Sequence, residues 1–320
     1  MSDIKVGVLG TGHLGTHHTR ILSTLPGAEL IGIHDPDEQR MKSIGEKYHT
    51  KTFSDLDELL DLCDAVIIAS PTSTHRAVGE IALKAGCHLF IEKPITENAS
   101  EGRALIALAD KLNKIVMIGH VEQFNPAFSV ARDLIKNPKF VESHRLTQFR
   151  GRGTDVTVVH DLLIHDLEIL VSLVNSDIIT VDTSAQAILT ETPDIANSRL
   201  KFDNGCVANL TASRISITNM RKMRFFQPGA YISVDFGERV VEVASLGDKA
   251  NICIPDKADK LELPNGDAIY RWNVPVPDQD ALTEEQLHFL DCIRNHFTPR
   301  TSGIMAIKAL ELADRITEKV

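Results

Sequence analysis

Asp161, His165, Glu168 and Ser172 recur at helical spacing through Asp161-Leu162-Leu163-Ile164-His165-Asp166-Leu167-Glu168-Ile169-Leu170-Val171-Ser172, which puts them on one stripe. Most of the remaining circumference is Leu, Ile or Val. The segment is therefore a largely buried helix with a narrow polar seam, and buried polar groups need partners. Asp161 and His165 are i, i+4 neighbours, so the carboxylate can orient the imidazole or bind the same ligand beside it. Histidine titrates near neutrality and is the natural proton acceptor for an alcohol. The other reading is an amphipathic helix whose seam meets water; a seam without Lys or Arg argues against that. His160 and His165, five apart, point to different sides of a regular helix, unlike a metal pair at i, i+4, and no metal is expected.

A second chemical group follows an apolar strand, in Glu92-Lys93-Pro94. Pro94 biases Lys93 away from helical geometry, so the lysine projects from the strand end. There it supplies a compact positive charge where an alkoxide develops, with a pKa that falls on desolvation. A surface lysine paired with Glu92 fits the sequence equally well.

The elements that would position these groups begin at the N-terminus. Lys5-Val6-Gly7-Val8-Leu9 runs into Gly10-Thr11-Gly12-His13-Leu14-Gly15, and a helical pattern (Leu14, His18, Ile21, Leu22, Leu25) follows. A second strand, Ala28 to His34, ends on Asp35, 20 residues after Gly15. Gly10 permits a tight turn, Gly12 lets the backbone approach a pyrophosphate, and Gly15 lets helix and strand pack closely. The helix N-terminus, at His13 and Leu14, offers N–H groups and positive dipole to the phosphates. Asp35 can accept from the adenosine ribose hydroxyls and repels a 2′-phosphate, so NAD is expected rather than NADP, a preference Arg40 softens if it swings towards the ribose. After the strand ending at Ala69, Ser70-Pro71-Thr72-Ser73-Thr74-His75 either packs along the nicotinamide side, with Ser70, Thr72 and His75 (and later Glu92 and Lys93) touching the cofactor, or is plain turn and cap chemistry.

Bulk properties bound the class. The 320-residue chain suffices for two domains, and its 43 % hydrophobic and 24 % charged residues are ordinary for a soluble globular protein. A net charge of −10 without a basic block excludes a nucleic-acid footprint. The Met-Ser-Asp start has no secretory pattern, and no apolar run reaches bilayer length. Cys63, Cys87, Cys206, Cys253 and Cys292 are scattered without a C-x-x-C pair, which predicts reduced thiols in a cytoplasmic protein.

The first 120 residues alternate apolar strands with amphipathic helices, predicting an α/β fold with a doubly wound parallel sheet. After His120 come a helix over 125–135, the apolar helix over about 156–174, and mostly extended chain from Asp177 to Trp272. That half is α+β with a large, mostly antiparallel open sheet, including an Asn204-Gly205 hairpin. Helices over 283–295 and 303–318 close the chain. The expected domains are 1–120, binding the dinucleotide, and 121–320, binding substrate, with the last helix packing on its own domain or returning to the first.

The motifs Gly10-Thr11-Gly12-His13-Leu14-Gly15, Ser70 to His75, Glu92-Lys93-Pro94 and Asp161-Leu162-Leu163-Ile164-His165 resemble, in order, those of the glucose–fructose oxidoreductase / inositol dehydrogenase / rhizopine catabolism (Gfo/Idh/MocA) family. The resemblance spans essentially the whole chain. It implies a Rossmann domain, a catalytic trio of Lys93, Asp161 and His165, and an open sheet that faces its copy in a homodimer or homotetramer; such a face would be an apolar patch needing cover. It also implies a sugar, inositol or nucleotide-sugar substrate oxidised at a secondary hydroxyl. Gly119 to Pro126 and Arg221 to Pro228 are similar to a subgroup that includes UDP-N-acetylglucosamine 3-dehydrogenase-like proteins. Arg152, Arg214, Lys222 and Arg224 serve a diphosphate there or are solvated sheet residues. Two other readings share the motifs: a sugar oxidoreductase that recycles a tightly held cofactor, and a non-catalytic NAD sensor.

Overall fold

The computed structural model describes residues 2–149, 151 and 156–319. The chain divides into two compact units, Met1–Val121 with Asp280–Lys308, and Glu122–Gln279 with Ala309–Val320.

The first unit runs β1 (Ile4–Leu9), α1 (His13–Leu22), β2 (Ala28–His34), α2 (Glu38–Tyr48), α3 (Leu56–Leu60), β3 (Ala65–Ile68), α4 (Thr72–Lys84), β4 (His88–Glu92), α5 (Ala99–Lys111) and β5 (Val116–Gly119). Its five strands are all parallel, in the order β2-β1-β3-β4-β5. Strands such as Ala65-Val66-Ile67-Ile68 are buried along their whole length, because helices cover both faces of a parallel sheet. The topology reverses at β1, with β2 on one side and β3 on the other, and ligands of such sheets lie at that switch point, beyond the carboxyl ends of the strands. Leu14, counted among the apolar positions of α1, is 41 % exposed at the helix start instead of joining the core.

The second unit holds α6 (Pro126–Arg132), β6 (Phe140–Leu146), a π turn over Val159–Leu163, α7 (Ile164–Leu173), β7 (Ile178–Gln186), β8 (Ile195–Phe202), β9 (Val207–Ser213), β10 (Met220–Gln227), β11 (Ala230–Asp235), β12 (Val240–Ser245), β13 (Asp259–Glu262) and β14 (Ala268–Val274). Its nine-stranded sheet has the order β13-β14-β12-β11-β10-β6-β9-β8-β7, antiparallel except for the β6–β9 pair. Asn204-Gly205 forms the expected β8–β9 turn, with Gly205 at φ +82°. One face of the sheet alternates inward, with Val141, Leu200, Ala208, Leu210, Met223 and Phe225 buried in the same core as Phe128, Leu163 and Leu167.

The opposite face is mixed: Phe140, Phe226 and Tyr231 form an aromatic cluster on it, Phe226 being 37 % exposed, and the strands beside them carry polar pairs. Arg199 bonds Asn209 and Asn197 bonds Thr211 across strands, Lys222 pairs with Glu242, and Arg224 pairs with Glu142. Period-2 alternation sends one residue of each pair to the core and the next to this outer face. A covering copy would meet charged and hydrogen-bonding groups beside this aromatic cluster.

Helices α8 (Ala281–Asn295) and α9 (Gly303–Thr317) end the chain. Residues 280–308 lie with the first unit, whereas the sequence reading places 280–302 in the second domain and leaves the last helix open to either. Phe289 packs edge-on against Phe90 of β4, and Ser302 forms a bridge with Met117 of β5. Helix α9 belongs to both units: Ile307 packs on Gly102 of α5, whereas Leu312, Ala313 and Ile316 join the core of the second unit. No helix among the described residues is long and apolar enough to cross a membrane.

Candidate active site

The glycine turn is built as the nucleotide reading requires. Gly10 sits at φ +93°, and a Cβ there would lie 2.7 Å from the Ala69 carbonyl oxygen. A Cβ on Gly15 would lie 1.8 Å from the Gly10 carbonyl, so α1 leaves the turn at a distance only glycine permits. Gly12 differs: nothing lies within 4 Å of an added Cβ, which leaves the approach to the helix N-terminus open to a pyrophosphate. The residues therefore fit the dinucleotide. Gly12→Val is expected to keep the unfolding temperature within a few degrees and weaken NAD binding more than tenfold; titration beside a melting curve checks both.

Asp35 closes the turn. Its Oδ2 accepts from the Thr11 N–H at 2.6 Å and the Thr11 hydroxyl at 3.0 Å. Its Oδ1 accepts from the Asp37 N–H and from Arg40 Nη2, each at 2.8 Å. Burial pushes the carboxyl up, but the bonds from Thr11, Arg40 and Asp37 outweigh it and hold Asp35 below the usual carboxylate range. A depressed carboxyl contributes its stability above the ordinary value of 3.8 and loses it as pH falls through the lower folded value. The turn therefore stays closed under mildly acid conditions. A carboxylate has about four lone-pair sites, and these four donors fill them. Of the three donor residues, Arg40 reaches Asp35 from a side chain that is 47 % exposed.

At the end of β3, the Ser70 and Thr74 hydroxyls lie 2.7 Å apart, and Thr72 opens α4. His75 departs from the sequence expectation. It is 1 % exposed, with Nδ1 2.9 Å from the Pro94 carbonyl and Nε2 2.9 Å from the Ser70 carbonyl. Both neighbours are acceptors, so a neutral ring donates its one N–H to one of them, and the ring is wedged between the ends of neighbouring strands. Glu92 likewise turns inward, its Oε1 accepting at 2.7 Å from His18 Nε2, while Gln286 Nε2 lies 2.8 Å from His18 Nδ1. Lys93 is half-buried at the strand end, as are Asp161 and His165 in the second unit. His13, exposed at the start of α1, stacks edge-on with His17.

Asp161 lies within the π turn, where the Ile164 N–H reaches back five residues to the Val159 carbonyl. Such turns widen a helix locally and recur at functional sites. They also bring i and i+5 towards one side, which removes the sequence argument separating His160 from His165. His160 is instead drawn to Asp314 at 2.9 Å. Among the described residues no group of three or more His, Cys, Asp or Glu could hold a metal ion.

Residues 4–120 match the family model described as "Oxidoreductase family, NAD-binding Rossmann fold", GFO_IDH_MocA. The UDP-N-acetylglucosamine 3-dehydrogenase of Acidithiobacillus ferrooxidans is 33 % identical over 98 % of this chain and 96 % of its own. Its solved structure superposes with a TM-score of 0.90 at 31 % identity, covering 100 % of this chain and 98 % of that one. The chain belongs to the Gfo/Idh/MocA oxidoreductase family. A second member, the scyllo-inositol 2-dehydrogenase (NAD(+)) of Bacillus subtilis, is 27 % identical over 97 % of this chain and 92 % of its own. As a family member the protein is an oxidoreductase with an NAD-binding Rossmann domain.

Several residues of this Gfo/Idh/MocA chain do work that the sequence reading assigns elsewhere or omits. Arg214 is no diphosphate ligand: it is buried, with Nε 3.0 Å from Asp194 and Nη2 donating to the Thr192 hydroxyl and the Pro193 carbonyl. Lys222 and Arg224 are the sheet-face pairs described above, and Arg152 lies outside the described residues. Glu168 and Ser172 of the polar seam both accept from Gln123 Nε2 at 2.8 Å. Asp166, off that seam, is buried against Arg145 and Ser143.

Proposed function

We propose that the protein moves a hydride between NAD and a secondary hydroxyl of a nucleotide sugar, with a UDP-N-acetylhexosamine oxidised at C3 as the favoured substrate. The full-length similarity to the Acidithiobacillus ferrooxidans enzyme carries this reading, and the intact Lys93, Asp161 and His165 support it. In the proposed reaction the substrate carbinol carbon loses a hydride and its hydroxyl a proton, leaving a ketone. The nicotinamide, when bound, takes up or returns the hydride. His165 accepts the hydroxyl proton, the Lys93 ammonium stabilises charge developing on that oxygen, and Asp161 orients the imidazole or the substrate. Gly10, Gly12 and Gly15 with His13 and Leu14 hold the pyrophosphate end, and Asp35 the adenosine ribose.

The test is NADH formation against a panel of UDP-sugars, free hexoses, inositols and sugar acids. Turnover confined to UDP-N-acetylhexosamines supports the reading; turnover confined to inositols overturns the substrate class. NAD is favoured over NADP because Asp35 remains ionised. Asp35→Ala is expected to narrow the NAD/NADP ratio of kcat/KM by roughly tenfold or more, and an unchanged ratio would show that the carboxylate does not discriminate. We further propose a homodimer or homotetramer assembled through the outer face of the second-unit sheet, in the cytoplasm, where the five free thiols stay reduced. Light scattering after size exclusion reads the mass.

A further inference from the structure

His120 is the first residue beyond β5. The parallel β4–β5 register pairs Glu92 with Gly119, so Lys93 and His120 are the next residues off two adjacent strand ends. The His120 N–H folds back at 2.7 Å on the Ile118 carbonyl, and its side chain is packed away, the residue being 2 % exposed. Its Nδ1 is buried and has no hydrogen-bond partner among the described residues. A buried polar atom left in that state is costly, and in native proteins it usually marks a missing ligand or water.

Position selects the ligand. Asp35 fixes the adenosine half on the β2 side of the switch point, so the nicotinamide half extends over the ends of β3, β4 and β5. Chemistry agrees. Burial, and then the charge of Lys93, push the His120 pKa down to about 3, so the imidazole is neutral at working pH. A neutral imidazole has one donor and one acceptor, which complements a carboxamide. It also adds no positive charge beside a ring that is cationic when oxidised.

We propose that His120 binds the nicotinamide carboxamide through Nδ1, from the strand edge next to Lys93. The assignment rests on the NAD-dehydrogenase reading above. Binding tests it without turnover: NADH and ADP-ribose, which lacks the nicotinamide, are titrated into the full chain and into His120→Phe, His120→Asn and His120→Gln. Asparagine places an amide atom near the position of Nδ1, glutamine nearer Nε2. His120→Phe is expected to weaken NADH roughly three- to tenfold, the value of one lost hydrogen bond, with ADP-ribose affinity kept within twofold. His120→Asn should restore most of the loss and His120→Gln should not. Equal weakening of both ligands in all variants would reveal a packing role and overturn the assignment. Unchanged NADH affinity with a raised KM for the sugar would overturn it by placing His120 against the substrate. Wild-type protein that binds neither ligand would overturn the cofactor reading itself, and this assignment with it.

Discussion

Lys93→Ala is expected to lower turnover roughly 10²–10³-fold, the usual cost of removing one group that stabilises developing charge, while NAD affinity stays within a few-fold. Strand β4 ends at Glu92, and Lys93, held between it and Pro94, lies half-buried at the carboxyl edge of the sheet. The alternative partner suggested by sequence, Glu92, donates nothing to this choice: its carboxylate turns inward to His18. Gly10, Gly12, Gly15 and Asp35 are untouched by the substitution, so binding and turnover should separate. His165→Ala should behave alike, because removing the proton acceptor raises the same barrier. Turnover near wild type in both variants would remove the proposed chemistry. Equal losses in binding and turnover would assign Lys93 to cofactor affinity alone.

Arg145→Ala is expected to destabilise the second unit by about 3–5 kcal/mol, because it leaves buried Asp166 without a counter-charge and Glu122 with only the half-exposed Arg221. Arg145 Nη1 lies 2.8 Å from Glu122, and its Nε and Nη2 lie 2.9 and 2.6 Å from Asp166. The side chains of all three residues are at most 7 % exposed. Burial alone would raise the Glu122 pKa, but Arg145 outweighs it and holds the carboxyl below its ordinary 4.5. The sign follows: the pairing stabilises fully above that value and is lost as pH falls through the lower folded one. The deficit of the variant should therefore be greatest near neutrality and shrink under acid conditions, where the stranded carboxylates take up protons. Thermal unfolding should drop by on the order of 10 °C at neutral pH. Adding Glu122→Gln and Asp166→Asn should recover part of the loss. A melting temperature unchanged by Arg145→Ala would mean that the cluster does not support the fold.

Much of this was legible in the sequence because it is local. Gly10, Gly12 and Gly15 lie within six residues where a strand meets a helix, and Asp35 follows its strand at a fixed spacing, so type and spacing sufficed. The buried strands announce themselves through unbroken apolar runs such as Ala65 to Ile68. What escaped depends on partners distant in sequence. Nothing beside His75 signals that it spans the carbonyls of Ser70 and Pro94, and nothing beside Arg214 points to Asp194. The π turn around Asp161 is set by backbone bonding that side-chain periodicity does not encode. One signal was available and unused: Val141, Ser143 and Arg145 alternate along β6, so Arg145 shares the inward face with a core valine and must find a buried counter-charge. The outer sheet face carries the matching lesson. Asn197, Arg199, Asn209 and Thr211 alternate outward and make the β8–β9 part of that face polar, whereas Phe140, Phe226 and Tyr231 give it an apolar part around β6, β10 and β11.

The most direct test of the central claim is hydride tracing with UDP-N-acetylglucosamine deuterated at C3 of the sugar. The account predicts that NAD is reduced and that the deuterium appears in the reduced nicotinamide, one atom per ketone formed, and that both signals collapse together in Lys93→Ala. Reduced cofactor without deuterium would place the oxidised carbon elsewhere, and no reduction of NAD despite its measured binding would contradict the proposed function.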